Sequence, residues 1–209
     1  MIRITNVEVA GWRAALRGMR NPLNSWGRAD SKFDDGIELG ENDLNLAKRL
    51  IKAGCDHSKF MRMITVSMDI EAPLYWWKEY DTYKVGTVAN SCSTMHKIHA
   101  KEFTLDDFSH EHLDQTSSEV LGQLIKRLNE CRHSFATKQD KDDWWQLIQL
   151  LPSSYNQKRT VLVNYAVLQK MYHARKNHKL DEWRIFCQRI EVLPYAKELI
   201  IGKSDDEEA

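Results

Sequence analysis

The sequence predicts a mixed α/β fold in which strands with one apolar face stand among amphipathic helices. Residues 2–9 and 61–70 alternate apolar and polar side chains at period two, which is typical of half-buried strands. Other segments, between residues 42 and 193, repeat their apolar side chains every three or four positions, as helices do. The 209 residues include only four Pro and nine Gly, too few for the many turns of a β-sandwich.

The first quarter of the chain predicts a strand, a loop and a helix. The strand at residues 2–9 precedes a polar segment at 18–38 without apolar periodicity, which we interpret as a long loop. Asn42 and Gly54 are residue types that favour the start and the end of a helix, respectively. The apolar residues between them share one helical face, so a helix is expected there.

The next segment predicts a strand that leads into a helix. Residues 61–70 place Ile64, Val66, Met68 and Ile70 on one face. Ala-Pro then opens a helix with proline in its first turn, and this helix is expected to run to residue 84. Residues 85–93 are small and polar, and they predict a loop.

The second half of the chain is predicted to be helical. Helices are expected at residues 113–131, at 144–151 before a proline, at 159–177, and from Asp181 to the next proline. Length and an apolar content of 42% favour one globular domain over residues 1–200. The acidic segment 201–209 is expected to be a disordered tail.

Charge is uneven along a chain whose 30 Lys and Arg balance 30 Asp and Glu. Residues 155–190 contain eight Lys or Arg and two acids, so this segment carries +6 and the remainder −6. A local excess of cations suits an anion such as a nucleotide phosphate, and a solvated helix face is the alternative. Overall neutrality argues against nucleic acid as a partner.

Cysteine usage and hydropathy indicate the compartment. The four cysteines are far apart and form no C-x-x-C motif, which is typical of reduced thiols in an intracellular protein. No window approaches about 18 consecutive apolar residues, and the polar N-terminus is unlike a signal peptide. We therefore expect a cytoplasmic protein without a membrane partner.

The histidines do not predict a metal site. His96 and His99 are three positions apart, and His110 and His112 flank a glutamate, but neither pair has the spacing of a metal motif. The sequence also lacks a glycine-rich phosphate-binding loop and the G-x-S-x-G motif of hydrolases.

The segment TYKVGTVANSCST, residues 82–94, carries the strongest chemical signal from residue types alone. Its hydroxyls, backbone amides and lysine suit an anionic ligand, and Cys92 is a candidate nucleophile beside a cation. The alternative is a turn capped by its own hydroxyls.

This segment and the strand MITVSMDIEAP before it resemble the flavin-dependent thymidylate synthases. In that family such a strand ends at Ala-Pro, and a loop R-H-R-x-x-S-x-N-E-x-S-x-R follows the next helix. Read without gaps, Thr82, Tyr83 and Lys84 stand at R-H-R, and Cys92 stands at the second Ser. A slip of one residue places Ser93 there instead, and both registers stay open.

The resemblance continues in the second half and covers about residues 45–195. The family has Leu-Pro, then a helix with Asn, a Leu four residues later, Arg and Trp. The equivalents here are Leu151-Pro152, Asn164, Leu168, Arg175 and Trp183.

The resemblance implies a fold in which a small sheet packs against long helices, and it implies a set of ligands. These are FAD, a reduced folate donor, no metal, and a pyrimidine nucleotide such as dUMP. A homotetramer with active sites built from several chains is also implied. The implied site residues are Cys92 and Ser93 as catalytic groups, Tyr83, Lys84 and Asn164 for the cofactor, and Asn90 and Arg175 for the substrate.

Several family arginines are replaced. With Thr82 and Lys84 in place of the two arginines of R-H-R, both guanidinium groups are lost. Lys is not equivalent to Arg where one side chain makes two parallel hydrogen bonds. Thr94 and Ile148 replace two further arginines, and Met63 replaces a histidine near the flavin. Each lost charge-assisted hydrogen bond costs about 1.5–3 kcal/mol, so nucleotide and flavin affinity should fall by orders of magnitude.

These observations leave three hypotheses for function. The first is a divergent flavin-dependent enzyme that modifies the base of a pyrimidine nucleotide, without ordinary thymidylate synthesis. The second is a non-catalytic relative that acts as a ligand-binding or protein-binding module. The third is an α/β interaction protein of unrelated strand order.

Overall fold

Over residues 1–202, the computed structural model contains four β-strands and seven α-helices. They are, in order, β1 (Arg3–Ala10), α1 (Trp12–Arg20), α2 (Glu41–Lys52), β2 (Thr65–Pro73), α3 (Leu74–Tyr80), β3 (Thr87–Ser91), α4 (Gln115–Lys138), α5 (Lys141–Leu150), β4 (Asn156–Asn164), α6 (Tyr165–Arg175) and α7 (Asp181–Glu191). A π-helical turn at Lys197–Ile201 follows. The tail predicted at 201–209 lies outside the described residues from position 203 onward.

The four strands form one antiparallel sheet in the order β1-β2-β4-β3. The backbone amide of Tyr165 donates to the carbonyl of Ile64 at 3.0 Å, and that of Leu74 donates to Tyr155 at 3.0 Å. The start of β2 therefore lies beside the end of β4, and the end of β2 lies beside the start of β4. This is the pattern of an antiparallel pair. Strands β1 and β3 are the edges of the sheet.

Strand β2 has the predicted apolar face. Val66, Met68, Ile70 and Ala72 are buried, whereas the residues between them are partly exposed. Burial of one such aliphatic side chain contributes about 1.5–3 kcal/mol, so this alternation determines which face of the strand points inward.

The single helix predicted at residues 159–177 is wrong in its first part. Val161 and Val163 are buried and Leu162 between them is 42% exposed, which is the period of the strand β4. At Asn164 the chain changes to α6, because its side-chain oxygen accepts a hydrogen bond from the Val167 amide at 3.1 Å. That oxygen caps the helix.

The loop predicted at residues 85–93 contains the strand β3. Its side chains are almost all exposed, so it has no apolar alternation from which a strand could be predicted. The amide of Cys92 donates to the Lys158 carbonyl at 2.9 Å just beyond the strand. An edge strand of this kind forms through backbone pairing alone.

The helix α1 was not predicted, and residues 18–20 belong to it rather than to a loop. It follows Gly11, whose φ is 92° and whose added Cβ would lie 1.9 Å from the Met63 carbonyl oxygen. Only glycine fits this position. Helix α2 begins one residue before Asn42 and is capped by Gly40, whereas its predicted end at Gly54, with φ 103°, is confirmed.

The described residues divide into two compact units, each made of three separate stretches. The first unit comprises residues 1–3, 70–82 and 90–160, and the second comprises 4–69, 83–89 and the chain from 161 onward. The first unit has a core of α4, α5 and the segment before them, with Phe108, Leu128 and Leu147 at its centre. In the second, the ring of Trp12 packs edge-on against Tyr165 at 5.4 Å.

Candidate functional site

Arg175, the last residue of α6, lies against two aromatic rings in the second unit. Its Nε donates to the Tyr83 hydroxyl at 3.1 Å. Its guanidinium carbon is 4.8 Å from the ring centre of Trp183 and 5.8 Å from that of Tyr83. Trp183 is fully buried, so its orientation is determined by packing. Cation–π contacts of this kind hold a guanidinium in one place.

Cys187 lies near Arg175 but is chemically inert. The pKa of its thiol is raised to about 12, first by burial and then by the charge of Glu191, while the charge of Arg175 acts in the opposite direction. The thiol is therefore protonated at neutral pH, which excludes it as a nucleophile.

Asn164 holds the segment 83–89 against the start of α6. Its side-chain Oδ1 caps the helix, and its Nδ2 donates to the carbonyl of Gly86 at 3.4 Å. Gly86 has φ 80°, and an added Cβ would lie 2.7 Å from that same Nδ2. Glycine is required here on both grounds. The asparagine is 9% exposed, and both ends of its carboxamide bond to the protein itself.

The segment 83–89 presents its lysine to solvent. The hydroxyl of Thr87 donates to the Tyr83 carbonyl across the turn. Lys84 is exposed, and Val85 beside it is 88% exposed. The segment therefore combines an ordered backbone with one cation at its surface.

In the first unit, Cys92 is exposed and its backbone is held on both sides. Its amide donates to the Lys158 carbonyl at 2.9 Å, and its carbonyl accepts from Gln157 Nε2 at 2.7 Å. Gln157 is 7% exposed, so this side chain is a buried support for the peptide of Cys92.

The support of Gln157 extends to a further arginine that the sequence analysis missed. Arg159 donates from Nε to Gln157 Oε1 at 2.9 Å and from Nη1 to Asp81 at 2.8 Å. Its guanidinium also lies 4.2 Å from the ring centre of Trp77. The excess of cations at residues 155–190 was the sequence signal that could have indicated Arg159. Because residues 159–177 were predicted to be a helix, the position of Arg159 on the strand β4 was not foreseen.

Ser93 and Asn90 have different surroundings. The Ser93 hydroxyl accepts from the amides of Met95 and His96 and lies 3.0 Å from His96 Nδ1. These are contacts within one turn, as in the alternative interpretation of this loop. Asn90 is exposed on β3.

The fold thus brings some predicted site residues together. In the second unit Tyr83 contacts Arg175, and Asn164 contacts Gly86 of the same short segment. Asn90, Cys92 and Ser93 belong to the first unit. Within residues 1–202, no cluster of three or more His, Cys, Asp or Glu is arranged to hold a metal ion. Nor does any helix in that range combine the length and apolarity needed to cross a membrane.

The sequence matches no protein-family model and no curated protein. The structure, however, has the fold of the flavin-dependent thymidylate synthases, as the strand and helix motifs indicated. A structure of ThyX from Helicobacter pylori complexed with FAD and dUMP matches with a TM-score of 0.67, 17% identity, and coverage of 94% of this chain and 98% of that one. A second structure of the Helicobacter pylori enzyme, with FAD and dUMP, matches with a TM-score of 0.70 and 16% identity. The match covers 96% of this chain and 97% of that one.

Proposed function

We propose that the protein binds a pyrimidine nucleotide such as dUMP and that Arg175 hydrogen-bonds the base. The main support is the position of Arg175, held against Tyr83 and Trp183 at the end of α6. The resemblance assigns base recognition to this arginine, and the similar ThyX structures contain dUMP. A guanidinium oriented by two rings loses little entropy when it binds a planar base.

Other predicted site residues supplement this proposal. Lys84 is exposed on the ordered segment 83–89 and supplies a cation for a phosphate. We propose that Asn90 contacts the bound nucleotide. We propose Cys92 and Ser93 as the catalytic residues. For Cys92 the support is an exposed thiol on a rigidly held peptide.

The residues at the R-H-R positions fit the diphosphate of FAD poorly. The Thr82 hydroxyl donates to the Glu79 carbonyl at 2.7 Å, and the Tyr83 hydroxyl accepts from Arg175. Among these three positions only Lys84 supplies a cation. We therefore expect FAD affinity far below that of an enzyme with two arginines there.

A non-catalytic relative with the same fold is the second candidate. The observation in its favour is that Asn164, Thr82 and Ser93 direct their polar groups to the protein's own backbone. Such contacts stabilise a scaffold without a bound ligand. In this case a nucleotide would bind without being converted.

Calorimetric titration with dUMP, together with the visible absorbance spectrum of the purified protein, tests both candidates. Replacement of Arg175 by Ala is expected to lower dUMP affinity by about 10- to 100-fold, because a hydrogen bond from a charged group is lost. Arg175→Lys should recover only part of the lost dUMP affinity, since it restores the charge without the planar guanidinium group. Flavin absorbance with turnover would identify an enzyme, and binding to a colourless protein would identify the binding module.

Lys170→Ala is the matched control. Lys170 is an exposed cation on the same helix, so its loss should leave dUMP affinity unchanged. A colourless protein that binds no pyrimidine nucleotide, or equal affinity of the wild type and Arg175→Ala, would contradict the proposal.

A further inference from the structure

A cavity of the second unit shares no residue with the candidate site. It has a volume of about 230 Å³ and opens to solvent beside α1. Three arginines of α1, two aromatic residues of the following loop and one acid of α2 line it, namely Arg13, Arg17, Arg20, Trp26, Phe33 and Asp43. Its composition is therefore both cationic and aromatic.

The inner part of the cavity is electrically neutral. Arg20 and Asp43 form a buried ion pair of 2.6 Å, with side chains 4% and 1% exposed. Arg20 also donates to the carbonyls of Ser25 and Arg28, at 3.1 and 3.0 Å. The second oxygen of Asp43 accepts from the Ser31 hydroxyl at 2.6 Å. Since Asp43 is neutralised within the protein, it does not oppose an anion at the cavity mouth.

The outer wall carries the excess positive charge. Arg13 and Arg17 are one helical turn apart, so their side chains are neighbours on one face of α1. Asp34 approaches Arg13 to only 3.7 Å and is 91% exposed, which makes it a weak competitor for a ligand. Two arginines so spaced can direct both guanidinium groups to one phosphate.

The aromatic side chains are held at the same opening. Trp26 is 49% exposed, and its indole N–H donates to Asn21 Oδ1 at 2.9 Å, so the ring has a defined orientation. The guanidinium of Arg13 lies 5.3 Å from the ring centre of Phe33. A large aromatic ring that is half exposed yet fixed is a surface on which another ring can stack.

The loop that carries these rings is held by hydrogen bonds to α2 and across its own backbone. Asp30 accepts hydrogen bonds from the amides of Asn42 and Asp43 at 2.8 and 3.0 Å, which joins the loop to the start of α2. Lys32 and Glu38 exchange two backbone hydrogen bonds, at 2.8 and 3.0 Å. The cavity is therefore preorganised, which lowers the entropy cost of binding.

We propose that this cavity binds a nucleoside monophosphate, with the phosphate between Arg13 and Arg17 and the base stacked on Trp26. The ligand carries the two features that the walls complement, a compact dianion and a flat ring. The volume is below the range of about 300–1,000 Å³ for drug-sized ligands, so the ribose is expected to lie at the open side. This inference does not depend on the function proposed for Arg175.

Calorimetric titration of the full chain with AMP and GMP tests this inference, because purine nucleotides are not the ligands proposed for Arg175. At least one should bind, and Arg13→Gln/Arg17→Gln should lower its affinity by about 100-fold, since two charge-assisted contacts are lost. Trp26→Ala should lower it by about tenfold through loss of stacking. All three side chains are largely exposed, so thermal melts should show that the variants remain folded.

Arg28→Gln is the matched control, because Arg28 is an exposed cation of the same loop that does not line the cavity. The affinity of Arg28→Gln for the nucleotide should equal that of the wild type. The inference is overturned if neither AMP nor GMP binds, or if inorganic phosphate binds as tightly as the nucleotide. It is also overturned if the loss of affinity follows Arg175→Ala instead, which would assign the binding to the first site.

Discussion

At the scale of single residues, the pair Arg20–Asp43 is the most completely buried charge interaction described. Burial alone would raise the pKa of Asp43, but hydrogen bonds from Ser31 and Arg20 outweigh it and hold the pKa below its usual range. Removal of two charges from water is costly, and the cost is offset here because both groups are fully hydrogen-bonded. The pair connects α1 to α2 and orders the loop between them.

The sign of the pKa shift at Asp43 predicts a pH dependence of stability. A carboxyl with a lowered folded-state pKa stabilises the protein above about pH 4 and loses this contribution as the pH falls through the folded value. Asp43→Asn should lower the free energy of unfolding by about 3–5 kcal/mol at neutral pH, because Arg20 is left buried without a counter-charge. The difference from the wild type should narrow in strong acid, as measured by urea denaturation.

Asp34→Asn serves as the control for this series. Asp34 is 91% exposed and should give wild-type stability at every pH. The lowered pKa of Asp43 would be refuted if the free energies of unfolding of the wild type and Asp43→Asn differed by the same amount from pH 7 down to strong acid.

At the scale of elements, the change from β4 to α6 occurs at one side chain that performs two functions. Asn164 caps the helix through its oxygen and holds the segment 83–89 through its nitrogen. The position of Lys84 and the stability of α6 are therefore coupled through a single carboxamide.

Two substitutions at Asn164 should separate these functions. Asn164→Ala removes the cap and should lower the free energy of unfolding by about 0.5–2 kcal/mol. Asn164→Asp keeps an acceptor for the Val167 amide but loses the donor to Gly86. It should keep most of the stability and increase hydrogen exchange at residues 83–89.

The matched control is Asp140→Ala, which removes a different cap, the one that accepts from the Asp142 amide at the start of α5. It should destabilise the protein without changing exchange at 83–89. Equal exchange in wild type and Asn164→Asp would mean that the contact to Gly86 does not hold the segment.

At the scale of the whole molecule, the fold is that of the flavin-dependent thymidylate synthases. This finding contradicts the third hypothesis, an α/β interaction protein of unrelated strand order. The single domain predicted for residues 1–200 and the homotetramer stay predictions. Large apolar side chains are exposed on the segment that carries Lys84, with Val85 88% and Val88 59% accessible. A partner chain that covers these residues would remove them from water.

Light scattering of the purified protein should therefore give a mass of about 98 kDa, four times the 24.5 kDa of one chain. Val85→Asp should weaken the assembly, because a charge would be buried at the interface without a partner. Val192→Asp is the control, since Val192 is similarly exposed, at 72%, but lies after α7. A mass of one chain for the wild type would refute the tetramer.

The sequence by itself determined the features that depend on neighbouring residues. The apolar face of β2 follows from alternation within nine residues, and the end of α2 at Gly54 follows from one residue type. Such signals are local because periodicity and capping act over one or two turns. The resemblance to the flavin-dependent thymidylate synthases, carried by Leu151-Pro152, Leu168 and Trp183, nominated Asn164 and Arg175.

Tertiary structure alone decided the rest. Strand β3 has no apolar pattern and exists because β4 offers it a paired edge, and β4 itself was concealed by the helical period that follows it. One hydrogen-bond partner of Arg175 is Tyr83, which is 92 positions away in the chain. Contacts over such distances depend on how the elements pack, which residue order within one segment does not encode.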